Sequence, residues 1–160
     1  MKFLVFGLLL FFVLIPLRVN AAQNLDLSKA VVVGNGPKVI IEFTDPDCSF
    51  CRKASAYFDT RSDIKRYIFF YPLPNHPNSI SKIRHILSRN DKVRAYHNVM
   101  FGSLDRNAKY EFNSKGVRLQ EEHLDIAKMH KIDSTPTFLV SGRIIEGFDL
   151  KQIEELIGLK

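Results

Sequence analysis

KVIIEFTDPDCSFC, residues 38–51, changes its period in mid-course. Lys38 to Thr44 is a dense run of β-branched and aromatic residues, the signature of a buried strand. Asp45-Pro46-Asp47 then breaks it. From Cys48 onward, Phe50, Cys51, Ala54, Tyr57 and Phe58 fall at helical spacing on one face. The spacing predicts a helix that starts at or just before Cys48. Both cysteines of the chain sit in its first turn.

Two cysteines this close would close a trivial loop and constrain the unfolded chain little. Chemistry explains the pair better than stability does. Thiolate is the reactive form of cysteine, and a helix N-terminus favours it through its free N–H groups and its dipole. Arg52 and Lys53 add positive charge, whereas Asp45 and Asp47 oppose a negative sulfur. Cys48 is therefore expected to be a nucleophile with a lowered pKa. Cys51, one turn on, is expected to face inward beside Phe50 and Ala54 and to attack a mixed disulfide made by Cys48. The expected redox centre is a Cys48–Cys51 disulfide, with no further cofactor. Zinc uses the same cysteine spacing but needs four ligands. No second such pair is present, and His76, His85, His97, His123 and His130 lack zinc-finger spacing to this one. Of these, His76 and His85 read as ordinary surface or helix-face histidines.

Two more features surround the cysteines. Glu42 is an acid in the middle of the apolar strand, six residues before Cys48. Strict alternation points it inward beneath the cysteines, where burial would raise its pKa and let it move a proton to or from Cys51. An exposed strand face is the ordinary alternative. Ser134-Thr135-Pro136-Thr137 precedes a strand, where proline cannot donate to the ladder. A cis peptide bond in a tight turn is one reason for it, and a trans proline at a strand start is the other.

Outward from this centre, Ala30 to Val33 suits a small edge strand and Tyr67 to Tyr71 (YIFFY) a second buried strand. Residues 78–104 carry apolar stripes at helical spacing, with a break and N-cap at Asn90-Asp91. Arg106 to Gly116 reads as a polar loop, and Leu119 to His130 as another helix. Thr137 to Val140 and Arg143 to Glu146 form a hairpin through Ser141-Gly142. Asp149 with Gln152 resembles a capping box for a last helix over 150–157. The order predicts an α/β fold with helices on both faces of one sheet.

Residues 1–21 read as a secretory signal peptide. Lys2 precedes fifteen residues, Phe3 to Leu17, that are apolar apart from Gly7 and Pro16, and Val19-Asn20-Ala21 ends in a small-residue cleavage pattern. The expected organisation is a signal peptide at 1–21, a short lead-in at 22–36 and one catalytic domain at 37–160. Without residues 1–21, 21 basic and 17 acidic residues leave a net charge of +4, spread along the chain. No basic stripe with interleaved aromatics is present, which argues against a nucleic-acid partner.

Together, the Cys48-Ser49-Phe50-Cys51 motif at a helix start, Thr135-Pro136 before a hairpin and Glu42 in the preceding strand resemble the thioredoxin superfamily. Within it, Phe43-Thr44-Asp45 ahead of the cysteines, and the helical block that includes Lys92, Ala95, Val99 and Met100, resemble the catalytic domain of the DsbC and DsbG periplasmic disulfide isomerases. The resemblance covers about residues 37–158. It implies a thioredoxin-like fold with a helical insertion between the second and third core strands. It implies Cys48 as exposed nucleophile, Cys51 as resolving thiol, Pro136 as a cis-proline facing the disulfide, and Thr135 as a backbone partner for extended substrate. It further implies a periplasmic thiol–disulfide oxidoreductase that exchanges or isomerises disulfides of exported proteins. A membrane thiol reductant or oxidant would recycle it. Three departures stand against the isomerase pattern. Residues 22–36 are too short for its N-terminal dimerisation domain, the insertion lacks its structural disulfide, and Glu42 is an acid that isomerases need not carry. The alternatives are a dedicated reductase or oxidase for a few exported partners, or a metal-binding or chaperone module without turnover. The phenylalanines read mostly as signal peptide and core, with an apolar surface of Phe43, Phe50 and Tyr71 beside the disulfide as the alternative.

Overall fold

The computed structural model describes residues 25–102 and 109–158. The expected signal peptide and residues 22–24 of the lead-in lie outside them. A 3-10 turn, Leu27–Lys29, leads into β1 (Val31–Val33). Then come β2 (Lys38–Thr44), α1 (Ser49–Asp59) and β3 (Ile64–Phe70), followed by α2 (Ser79–Ser88), α3 (Lys92–Phe101) and α4 (Ser114–Met129). The chain closes with β4 (Thr137–Val140), β5 (Arg143–Glu146) and α5 (Leu150–Leu156). The strands form one sheet in the order β1-β3-β2-β4-β5. Only β2 and β3 run parallel, joined through α1; the other pairs are antiparallel. The helical insertion between the second and third core strands is α2, α3 and α4, between β3 and β4.

Alternation along β2 divides the core. Ile40 packs with Ala54 and Phe58 of α1 and Ile153 of α5, while Ile41 and Phe43 pack with Ile126 and Ala127 of α4. A third cluster joins Cys48, Cys51, Ile68 and Phe70 to Ile83, Ile86 and Leu87 of α2 and to Tyr96 and Met100 of α3. The inward stripe of α1 is Cys51, Ala54, Ser55 and Phe58. Phe50 does not belong to it: it is 58% exposed. It precedes Cys51 by one residue, about 100° around the helix, and so falls off the stripe that meets the sheet.

Two boundaries differ from the sequence reading. Strand β3 begins at Ile64, because Lys65 and Arg66 are ladder residues opposite Val39 and Ile40. Helix α4 begins at Ser114 rather than Leu119. The Asn113 side chain caps it by accepting from the Gly116 N–H at 3.1 Å. Gly116 lies inside the helix because α4 crosses α2 there: a Cβ would stand 2.4 Å from the Arg84 carbonyl oxygen and 2.1 Å from the Ser88 hydroxyl.

His123 of α4 is wholly buried and ties three elements. Its Nδ1 accepts the Phe70 N–H at 3.0 Å, which leaves Nε2–H to donate to the Lys29 carbonyl at 3.0 Å. Burial pushes its pKa down to about 4. An unfolded histidine titrates near 6.5, so the unfolded chain takes up this proton first as pH falls. The neutral ring therefore stabilises the fold above about pH 6.5, and that contribution fades toward pH 4, by about 3 kcal/mol in full. Urea unfolding of wild type and His123→Asn at pH 7 and pH 4 checks this. The wild type should lose more stability on acidification than the variant, and equal losses would contradict it.

Candidate active site

Cys48 occupies the N-cap of α1 with extended backbone (φ −77°, ψ 122°). This is the position where a side-chain acceptor meets the free N–H groups of the first turn. Its sulfur accepts the Cys51 N–H at 3.4 Å, and its thiol reaches the Thr135 carbonyl at 3.5 Å. Both cysteines are free thiols and both are buried: Cys48, expected to be the exposed sulfur, is only 6% exposed, and Cys51 is buried completely. The hydrogen bond from the Cys51 thiol is the largest influence on Cys48. With the first-turn N–H groups and Thr135, it outweighs burial and lowers the Cys48 pKa to about 6. Burial, with Cys48 beside it, drives the Cys51 thiol far upward. The pair is thus one thiolate and one thiol at neutral pH.

Magnitudes show what the low pKa accomplishes. At pH 7 Cys48 is about nine-tenths thiolate, against a few per cent for a free cysteine, a gain of about thirtyfold. A drop of about 2.5 units from the free value lowers intrinsic nucleophilicity by about tenfold to eighteenfold. Attack therefore gains only about twofold to threefold. The larger benefit falls on Cys48 as leaving group, because a sulfur of low pKa departs faster from a mixed disulfide.

The charges around the loop are not arranged as the sequence suggested. Arg52 does not face the sulfur. Its guanidinium donates to the carbonyls of Val99 at 2.9 Å, Gly102 at 2.6 Å and Pro46 at 3.5 Å, tying the end of α3 to the active-site loop. Lys53 lies over the Phe50 ring, 5.3 Å from its centroid. Asp47 is paired with buried Lys82. Asp45 is wholly buried, and its carboxylate accepts from Asp47 N–H, Leu73 N–H, His76 and Ser79. Both negative charges are met by donors, so neither confronts Cys48 uncompensated.

Glu42 points inward, on the α1 side of the sheet, and is wholly buried. Opposite it in the ladder is Ile68, which packs in the same cluster as Cys51. Its carboxylate is paired with Arg66 at 2.9 Å. Arg66 also donates to the Tyr96 hydroxyl at 3.2 Å, and Tyr96 meets the Ser55 hydroxyl at 2.7 Å. One carboxylate oxygen, Glu42 Oε1, has no protein partner among the described residues. Sequence reasoning missed Arg66 and Tyr96. The signal was the strand alternation itself, which puts Arg66 on the same buried face as Ile64 and Ile68.

The Thr135-Pro136 bond is cis. The Pro136 carbonyl accepts from Gly147 N–H at 2.7 Å, and the Thr137 hydroxyl donates to the Ser134 carbonyl at 2.8 Å, so the loop is held on both sides. The structure thus brings Cys48, Cys51 and Thr135 into contact and sets Glu42 in the core below. The alternative aromatic surface is not assembled. Phe43 is buried on the opposite face, stacked on Phe69 at 5.4 Å, and only Phe50 of the three is exposed beside the cysteines.

Residues 25–149 match the thioredoxin-like domain family. The probable thiol:disulfide interchange protein DsbC of Bordetella pertussis is 32% identical over 76 residues, which is 48% of this chain. The match spans 27% of that protein, about a quarter of its length. A disulfide interchange protein from Neisseria gonorrhoeae superposes with a TM-score of 0.67 at 27% identity, over 82% of this chain and 94% of that one. The catalytic domain of Proteus mirabilis ScsC shares the fold, with a TM-score of 0.67 at 20% identity over 86% of this chain and 91% of that one. The pair of cysteines at a helix start, the cis-proline loop and a match running over most of the chain agree: this chain belongs to the thioredoxin-like domain family.

Proposed function

We propose that this chain is a thiol–disulfide interchange enzyme of the DsbC type that acts on exported proteins in the periplasm. In this reading residues 1–21 direct export, 22–36 are a lead-in and 37–160 are the catalytic domain. The observation that carries the chemistry is the Cys48 sulfur at the α1 N-cap, with a thiol partner in Cys51 and the Thr135 carbonyl beside it.

The Cys48 thiolate attacks a substrate disulfide, forming a Cys48–substrate disulfide and releasing one substrate thiolate, which takes a proton. Cys51 then loses its proton and attacks the Cys48 sulfur. The second substrate thiolate departs, and the chain holds a Cys48–Cys51 disulfide. Two electrons pass to the substrate. Isomerisation follows instead when another substrate thiol attacks before Cys51 does. Glu42 is the candidate acceptor for the Cys51 proton, since Oε1 lacks a protein partner. Thr135 and Pro136 are the candidate substrate contacts, through backbone pairing with an extended segment. A membrane thiol reductant or oxidant resets the pair.

Alkylation of the reduced protein by iodoacetamide across pH 4–9 tests the central claim. Cys48 should react with a midpoint near pH 6, and Cys51 should stay unreactive through the range. A Cys48 midpoint near the free value of about 8.5 would sink it. The equilibrium potential against glutathione then gives the direction of exchange. The interchange reading expects a value between about −270 mV, a reductant, and about −120 mV, a strong oxidant.

A further inference from the structure

The loop from Asp45 to Cys48 is anchored to one side by a single buried carboxylate. Asp45 Oδ1 accepts the Asp47 N–H at 2.8 Å and the Ser79 hydroxyl, and Oδ2 accepts the Leu73 N–H at 2.7 Å and His76 Nδ1 at 2.9 Å. A carboxylate only accepts, so the proton of His76 must sit on Nδ1. The backbone of the same residue reaches the reactive cysteine: the Asp45 carbonyl accepts the Cys48 N–H at 3.1 Å. Asp47, next to Cys48, is held by Lys82 of α2. Ser79 and Lys82 both lie in the first turn of α2, so the helical insertion is the foundation on which the nucleophile's loop rests.

We propose that Asp45 is a positioning residue for Cys48. Its carboxylate, gripped by Leu73, His76 and Ser79, fixes the strand-to-helix loop so that the Cys48 sulfur meets the Cys51 N–H and the Thr135 carbonyl. His76 is the outer half of this clamp, partly exposed, whereas Asp45 is wholly buried. The inference rests on the interchange reading for its functional meaning, but its measurement needs no substrate.

The sign of one shift separates this role from simple electrostatics. Removing a negative charge near a thiolate favours the thiolate and lowers its pKa. Loosening the loop takes the sulfur away from its donors and raises it. The charged and titratable groups around the loop are Asp45, Asp47, Cys51, His76, Lys82, Arg52 and Lys53, and only Asp45 and His76 are altered.

The experiment is the Cys48 titration, by thiolate absorbance at 240 nm and by iodoacetamide rate, in the full chain. Asp45→Asn keeps the size and one acceptor but turns an amide N–H toward existing donors. It should move the Cys48 midpoint upward by about one pH unit, a tenfold loss of thiolate at pH values below the midpoint. His76→Ala should shift it in the same direction by less. His76→Asn, whose amide N–H replaces the Nδ1–H donor, should return most of that shift. A folded Asp45→Asn with an unchanged or lowered midpoint overturns the proposal. If Asp45→Asn does not fold, the two His76 variants decide: equal midpoints for alanine and asparagine overturn it. A wild-type midpoint near that of a free thiol would instead defeat the interchange reading, and the two failures are thereby told apart.

Discussion

Cys48→Ser is expected to reduce disulfide exchange to the uncatalysed rate, whereas Cys51→Ser should arrest it halfway. The reason is the division of labour between the sulfurs. Cys48 holds the lowered pKa and sits at the helix N-cap; Cys51 is buried and held as a thiol. A serine hydroxyl at 48 provides no thiolate, so no mixed disulfide forms. A serine at 51 leaves attack intact but removes the second nucleophile, and the Cys48–substrate disulfide should accumulate to stoichiometry. Reduction of insulin measures turnover, and non-reducing electrophoresis with mass spectrometry detects the trapped adduct. Equal residual activity in the two variants, or adducts on Cys51 instead of Cys48, would contradict the assignment.

The largest effect on stability is expected at Arg66. Its guanidinium is buried between the Phe58 and Tyr96 rings, at 5.4 and 5.7 Å to the centroids, and pairs with a carboxylate that has no access to water. Arg66→Met keeps most of the volume and leaves the buried Glu42 carboxyl without its partner, which costs about 3–5 kcal/mol. Removing both charges tells a different story. Arg66→Met with Glu42→Leu should recover most of the loss, because the attraction in a buried pair is largely offset by desolvation. Urea midpoints at constant slope measure this. A double variant as unstable as Arg66→Met alone would show that the Tyr96 and Ser55 hydroxyls, not the charge, govern the site.

Much of the fold is local and was therefore legible. Strand β2 begins and ends where composition changes, at Lys38 and Thr44. The caps at Cys48, Asp91 and Asp149 each accept the N–H three residues on, a bond that sequence alone can forecast. The hairpin turn at Ser141-Gly142 takes positive φ at both residues, as its composition requires. What escaped was set by distance in the chain. Arg66 is charged, and only Glu42, 24 residues away, explains its burial. His76 reads as a surface residue until Asp45, 31 residues away, is found beneath it. Nothing near His123 in the sequence forecasts the Phe70 N–H and the Lys29 carbonyl on either side of its ring. Gly116 reads as loop until the α2 backbone is seen against it. Of the site, the two cysteines and the proline loop were readable as types, but the compensation of Asp45 and Asp47 was not.

The ends of the sheet carry a consequence for self-association. Its centre is built from two strands of seven residues, but β1 at one border has three residues and β5 at the other has four. The β5 border carries exposed Arg143 and Glu146, and the ladder of β1 covers only Arg66 to Ile68 of β3. Strands this short give a second copy little template for edge-to-edge growth. The Thr135 loop lies away from both borders, its carbonyl against the Cys48 sulfur at 3.5 Å.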